Sequence, residues 1–336
     1  MTYWLPIVWA ALIAAAVLAY VLLDGFDLGV GILFAVEHRD EDRGVMVNTV
    51  APVWDGNETW LVLGGGGLFA MFPLAYAVIM PAMYPAIIGM LLALVFRGVA
   101  FEFRFRAETN RGRRAWDLAL LAGSTVAAFC QGIVLGALVQ GIHVVKRAYA
   151  GGWLDWLTPF TMLCGLALVL GYALLGACWI ILRTEGRLQQ SARRYAGILG
   201  LAMLVLIGVI SLWIPMLNNV YWARWFGAPR LVQTVPIPVL VILVGLVFWF
   251  ALRRQHDMTP FLCALAWFVL CYAGLAINLW PMIVPPSISI RDAAAPPASQ
   301  LFLLVGAAVL IPLILGYTSF SYWTFRGKVR AGEGYR

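Results

Sequence analysis

The chain has 336 residues, of which 63% are apolar and only 12% charged, with a formal net charge of +7. Soluble domains sit near about 45–50% apolar and about a quarter charged, so a domain of this length has no way to hide this much hydrocarbon from water. Disorder, coiled coil and collagen are excluded on the same grounds, which leaves a polytopic membrane protein.

Stretches free of Lys, Arg, Asp and Glu set the predicted spans in chain order: 1–23, 59–96, 118–145, 156–182, 195–223, 231–252, 258–290 and 293–325. A helix needs about 20 apolar residues to cross a hydrocarbon layer of ~30 Å. Seven runs suit one crossing each, and the long run from Thr59 to Phe96 suits two short passes turning near Phe72-Pro73. The expected fold is all-α and integral to the membrane, with about nine transmembrane helices in two four-helix bundles plus one peripheral helix. Residues 1–336 then form a single polytopic domain, with helices 1–4 and an acidic cluster in 1–155, helices 5–8 in 156–290, and helix 9 with a basic tail in 291–336. The first segment has the length of a signal peptide but no basic n-region, and it runs to Leu23 before an acidic continuation, so it is expected to be retained.

Nine passes put five Lys and Arg on the side of the N-terminus and eighteen on the other. The positive-inside rule then predicts the N-terminus outside and the C-terminus in the cytoplasm. The basic excess becomes a membrane-surface feature, with no nucleic-acid partner implied. All five cysteines fall inside predicted spans without a CxxC, which points to packing and away from metal knuckles or disulfides.

Acidic residues crowd into the first third: eleven of sixteen lie between Asp24 and Asp117. Asp24 and Asp27, at i and i+3, share a face toward the inner end of helix 1. Asp55 and Glu58 repeat that spacing where helix 2 begins, and Arg97 is expected to close helix 3 on the same side. A charge at a helix centre costs roughly 2.5–3.5 kcal/mol on insertion scales, so such groups face partners or polar cavities. Two readings stay open for them. One is a proton-conducting path that starts at the cytoplasm; the other is capping and pairing, with Asp55 as N-cap and Glu58 at N3 of a capping box.

Gly25, Gly29 and Gly31 punctuate helix 1 and Gly64 to Gly67 helix 2, as close helix packing demands. His38, His143 and His256 all fall outside the middle of any span, which argues against a haem held wholly by this chain. Met90, Met162 and Met203 are deep, but Met fills core gaps more often than it binds iron. Trp4, Trp9, Trp153, Trp156, Tyr221, Trp222, Trp225, Trp280, Tyr322 and Trp323 gather near predicted helix ends and read as interfacial belts.

Four stretches carry a family resemblance: DGFDLGVG (Asp24–Gly31), APVWDGNETWLVLGGGGLFAMFP (Ala51–Pro73), FRGVAFEFR (Phe96–Arg104) and YTSFSYWTFRGKV (Tyr317–Val329). Together they resemble subunit II of cytochrome bd-type quinol oxidases, with the cyanide-insensitive branch left open. The resemblance implies a bacterial cytoplasmic-membrane protein paired with a haem-bearing subunit I, which holds haems b and d while this chain ligates none. It implies quinol and O2 as substrates of the complex, electrogenic reduction of O2 to water with cytoplasmic protons, a proton path or an oxygen path lined by this subunit, a small single-helix accessory subunit, and room for a structural quinone. By matching position it marks Asp55 as a proton-path carboxylate with Glu58, Asp24 and Asp27 beside it. Trp60 and Arg97 match residues near an internal tunnel. The competing expectations are a secondary transporter using the helix 1 and helix 2 carboxylates, and a non-catalytic scaffold.

Overall fold

The computed structural model describes residues 3–227 and 234–330, in eleven helices and two short hairpins. Helix α1 (Leu5–Ile32) starts on Pro6 and runs nine residues past Leu23, so the acidic DGFD step lies inside it and not at its end. The polar link that follows folds into α2 (Asp40–Val50), whose first turn carries Asp40, Glu41 and Asp42 as the helix dipole favours. Next come α3 (Trp54–Met71) and α4 (Pro73–Arg106). The chain breaks between them at Phe72 (φ −132°, ψ 60°), where Pro73 starts the next helix. That is the turn expected from the long charge-free run.

Two expectations about these helices do not hold. Arg97 does not close a helix: α4 continues for nine more residues, with Arg97 on its buried face. Asp55 and Glu58 form no capping box, because the N-cap is Val53 and no side chain caps α3.

The order continues with α5 (Asn110–Gln140), a hairpin of β1 (Val144–Val145) and β2 (Ala148–Tyr149), and α6 (Pro159–Arg183). Then follow α7 (Gly186–Leu217), α8 (Asn219–Phe226), α9 (Pro236–Arg253) and α10 (Thr259–Leu279). A second hairpin of β3 (Met282–Val284) and β4 (Ile288–Ser289) leads to α11 (Pro297–Thr324). Charge-free stretches overestimate two spans: Asn218 ends α7 and caps α8, and Trp280–Ile290 is hairpin, not helix. The start of the seventh expected pass, 231–233, lies outside the described residues.

Among the described residues eight helices are long and apolar enough to cross a membrane; α3, with Asp55 and Glu58 in its first two turns, matches α9 in length but is too polar. Helix α6 is the most buried of the eight and packs on α1, α5 and α7. Its contact with α1 crosses the boundary expected between two four-helix groups. Glycine makes that contact: a Cβ on Gly29 would lie 1.8 Å from the Tyr172 carbonyl oxygen. Helix α11 buries none of its most apolar 18-residue window against the chain.

At one end of the bundle the hairpins are tied together by Ile142 N–H donating to the Pro285 carbonyl (2.9 Å). At the other end ion pairs seat α2. Arg43 and Arg104 share Asp117 at 3.0 and 2.5 Å, and Arg104 and Arg113 hold Asp40 at 2.8 and 2.7 Å. Burial raises the Asp40 carboxyl, but the hydrogen bond from Arg113 and the charge of Arg104 outweigh it and hold it below the usual carboxylate range. A depressed folded-state value contributes stability that is present above the unfolded value of about 3.9 and lost as pH falls through the folded one. Amide exchange of α2 should therefore stay slow down to about pH 4 and accelerate below it. Asp40→Asn should exchange fast across the whole range. Wild-type-like protection in that variant would show that the pairs do not anchor α2.

Candidate functional site

Asp24 and Asp27 sit one turn apart on α1, both fully buried, and turn toward α3 and α4. Between them and Glu58 stands Arg97, also with no exposure. Its guanidinium forks: Nη2 reaches Asp24 at 2.5 Å and Asp27 at 4.0 Å, while Nη1 reaches Glu58 at 3.1 Å. The planar fork is why this position holds arginine, since an ammonium presents one point charge to one side. The guanidinium itself lies beside aromatics, 5.6 Å from the Trp54 ring and 5.4 Å from that of Phe101. Three carboxylates thus surround a single cation, the composition of a site that can take up a proton.

Asn57 completes the near side. Its amide donates to Asp27 Oδ2 (2.7 Å) and accepts from the Tyr322 hydroxyl (2.8 Å), which brings α11 to the cluster. On the far side the Tyr172 hydroxyl donates to Gln131 Oε1 (2.8 Å), and Gln131 Nε2 donates to the Tyr20 hydroxyl (2.6 Å), one helical turn from Asp24. Oxygens Asp24 Oδ2 and Asp27 Oδ1 and nitrogen Arg97 Nε are buried with no hydrogen-bond partner among the described residues. Buried polar atoms are nearly always satisfied, so three unpaired ones in a single cluster set it apart from a packed core.

Of the residues singled out in the sequence, Asp24, Asp27, Glu58 and Arg97 are brought together. Asp55 is not in contact with them; it is exposed on α3, one turn before Glu58. Trp60 is buried against Ala16 and Tyr20, with its ring nitrogen unpartnered. The belt reading fails for three of its members. Tyr322 joins the cluster, buried Tyr221 donates to the Val139 carbonyl (3.0 Å), and buried Trp9 donates to the Gln300 carbonyl (3.0 Å).

Sequence reasoning missed Asn57, Tyr20, Gln131 and Tyr172. A count restricted to formal charge is blind to them, although Gln131 is an amide in the middle of a charge-free run. Among the described residues no second set of acids matches the first: Asp155, Glu185, Asp257 and Asp292 all lie outside the helices. The paired half-sites of a transporter are therefore missing among the described residues.

The sequence matches the cytochrome bd terminal oxidase subunit II family over residues 5–325. It is 30% identical to cytochrome bd-I ubiquinol oxidase subunit 2 of Escherichia coli (strain K12), over 97% of this chain and 95% of that one. It is 29% identical to cytochrome bd ubiquinol oxidase subunit 2 of Bacillus subtilis (strain 168), over 97% of each. The fold is similar to that of a chain in the bd oxidase structure from Geobacillus thermodenitrificans, with a TM-score of 0.72, 18% identity, and coverage of 95% of this chain and 98% of that one. With the family matched from the first helix to the last, the chain belongs to the cytochrome bd terminal oxidase subunit II family.

Proposed function

We propose that this subunit, paired with a haem-bearing subunit I in the bacterial cytoplasmic membrane, carries cytoplasmic protons toward the partner for the reduction of O2 to water by quinol. The gradient of exposure carries the reading. Asp55 is exposed, the Glu58 side chain is 29% exposed, and Asp24, Asp27 and Arg97 are sealed. Ionisable groups at membrane depth belong in a protein interior or a watery cavity. An exposed Asp55 in the first turn of α3, beside the sealed cluster, therefore fits a face covered by the partner subunit, not by hydrocarbon.

Orientation supports the same direction. The end bearing α2 carries most of the arginines, which the positive-inside rule assigns to the cytoplasm, with the N-terminus on the outer side. The family implies haems b and d. The histidines of this chain do not fit an axial set inside the bundle: His38, His143 and His256 are exposed and outside the helices. The haems accordingly belong to subunit I, and what this chain supplies is carboxylates, hydroxyls and amides that hold and move protons.

Asp55→Asn tests the reading. Assembly and the visible haem spectrum of the purified complex should persist, while oxygen reduction slows by roughly a hundredfold, the low end of what a positioned proton-transfer group contributes. Charge translocation in reconstituted vesicles should fall in step. Unchanged turnover and unchanged translocation would reject a proton role and leave a scaffold.

A further inference from the structure

The cluster does not end at its carboxylates. Tyr172, fully buried on α6, donates to the Gln131 carbonyl oxygen, and the Gln131 amide nitrogen donates to Tyr20 on α1. An amide has a donor end and an acceptor end, and here both are committed. Because the Tyr20 oxygen accepts from Gln131, its own proton is left for another acceptor. Asp24 lies one turn along the same helix, close enough for its charge to act on Tyr20, and its Oδ2 has no partner among the described residues.

We propose that Gln131 is a positioning residue for Asp24: held by Tyr172, it fixes the Tyr20 hydroxyl as a one-way donor toward the acid cluster. Between Gln131 and Gln140 the eight residues of α5 carry no polar side chain, a distance of roughly 13 Å at 1.5 Å per residue. From Leu5 to Ala19, α1 carries only apolar side chains and the Trp9 ring. An amide in such surroundings is costly unless bonded, so its bonds are its reason for being there. The local backbone is shaped for them: a Cβ on Gly25, next to Asp24, would lie 2.7 Å from the Tyr172 ring. Gly25 therefore lets the Tyr172 ring, and with it the hydroxyl, reach Gln131.

This inference rests on the proton-path reading, and its test separates the two. The redox-induced infrared difference spectrum of the assembled complex is compared with that of Asp24→Asn, which identifies the Asp24 carboxyl band. Gln131→Met keeps the volume and removes the donor. It should shift that band, slow oxygen reduction about three- to tenfold (the worth of one hydrogen bond), and displace the pH profile of turnover. Tyr20→Phe should do the same, and the double variant should add little, because both act through one contact. Should Gln131→Met fail to assemble, Tyr172→Phe, which loses one hydroxyl and frees the amide to turn, carries the same expectations. A wild-type band position and a wild-type pH profile in these variants would overturn the proposal. Unchanged turnover in Asp24→Asn would instead remove the proton-path reading, with the infrared arm still judging Gln131.

Discussion

Arg97→Met should destabilise the protein by about 3–5 kcal/mol, the range seen when one partner of a buried ion pair is removed. The guanidinium has no exposure and reaches three carboxylates, from 2.5 Å at Asp24 to 4.0 Å at Asp27. Methionine keeps an unbranched stem of similar length but deletes the guanidinium, and with it the charge and the contacts to the Trp54 and Phe101 rings. What remains is a group of carboxylates facing one another without a counter-ion, in a place water does not readily reach. The measurement is the yield of assembled complex by size exclusion in mild detergent, with its thermal midpoint. Arg97→Lys should recover only part of the loss, because one ammonium does not reach Asp24 and Glu58 from two nitrogens. Adding Asp24→Asn to Arg97→Met should restore more stability than independent effects predict, since the two side chains share one bond. A complex of Arg97→Met with wild-type yield and midpoint would refute the view that this ion pair holds three helices together.

Much of this arrangement is legible from residue types alone, for physical reasons that also set the limit. Hydrocarbon expels charge, so charge-free runs mark the spans, and a run too long for one crossing breaks at Phe72, where Pro73 starts the next helix while Pro81 and Pro85 are carried inside it. The same rule misleads where a helix carries charge inward. Charges usually sit near helix ends, which is where the sequence alone puts Asp24, Asp27 and Arg97, yet α1 and α4 continue past all three. Mutual neutralisation is what allows it, and a pairing between α1 and α4 is a tertiary fact that no local window contains.

Neutral polar groups are harder still. Gln131 and Asn57 carry no charge to flag them, and Tyr20, Tyr172 and Tyr322 have rings equally at home in a belt. Only the partner of each hydroxyl tells the two uses apart. Asp55 shows the converse: its motif is distinctive, but the chain by itself leaves it on an open face.

The glycines of the DGFDLGVG stretch set the second large effect. Gly29→Ala should cost about 3 kcal/mol or more, at or beyond the upper end of ordinary overpacking. An added Cβ there would lie 1.8 Å from the Tyr172 carbonyl oxygen and 2.7 Å from the Gly176 nitrogen, both backbone atoms that move only if a whole helix moves. Gly176 faces it in the same contact, with a Cβ placed 2.3 Å from the Gly29 carbonyl carbon. Side-chain adjustment therefore offers no relief, and α1 and α6 must separate. Separation at this level would pull Tyr172 from Gln131 and unstack Phe26 from Trp179, whose rings lie 4.2 Å apart. The control is Gly197→Ala on α7, where an added Cβ meets nothing within 4 Å and alanine favours the helix. Thermal midpoints of the two complexes should move in opposite directions, or the control should not move at all. If Gly29→Ala unfolds no earlier than Gly197→Ala, the closeness of α1 to α6 is not what brings the acid cluster and its amide support into register.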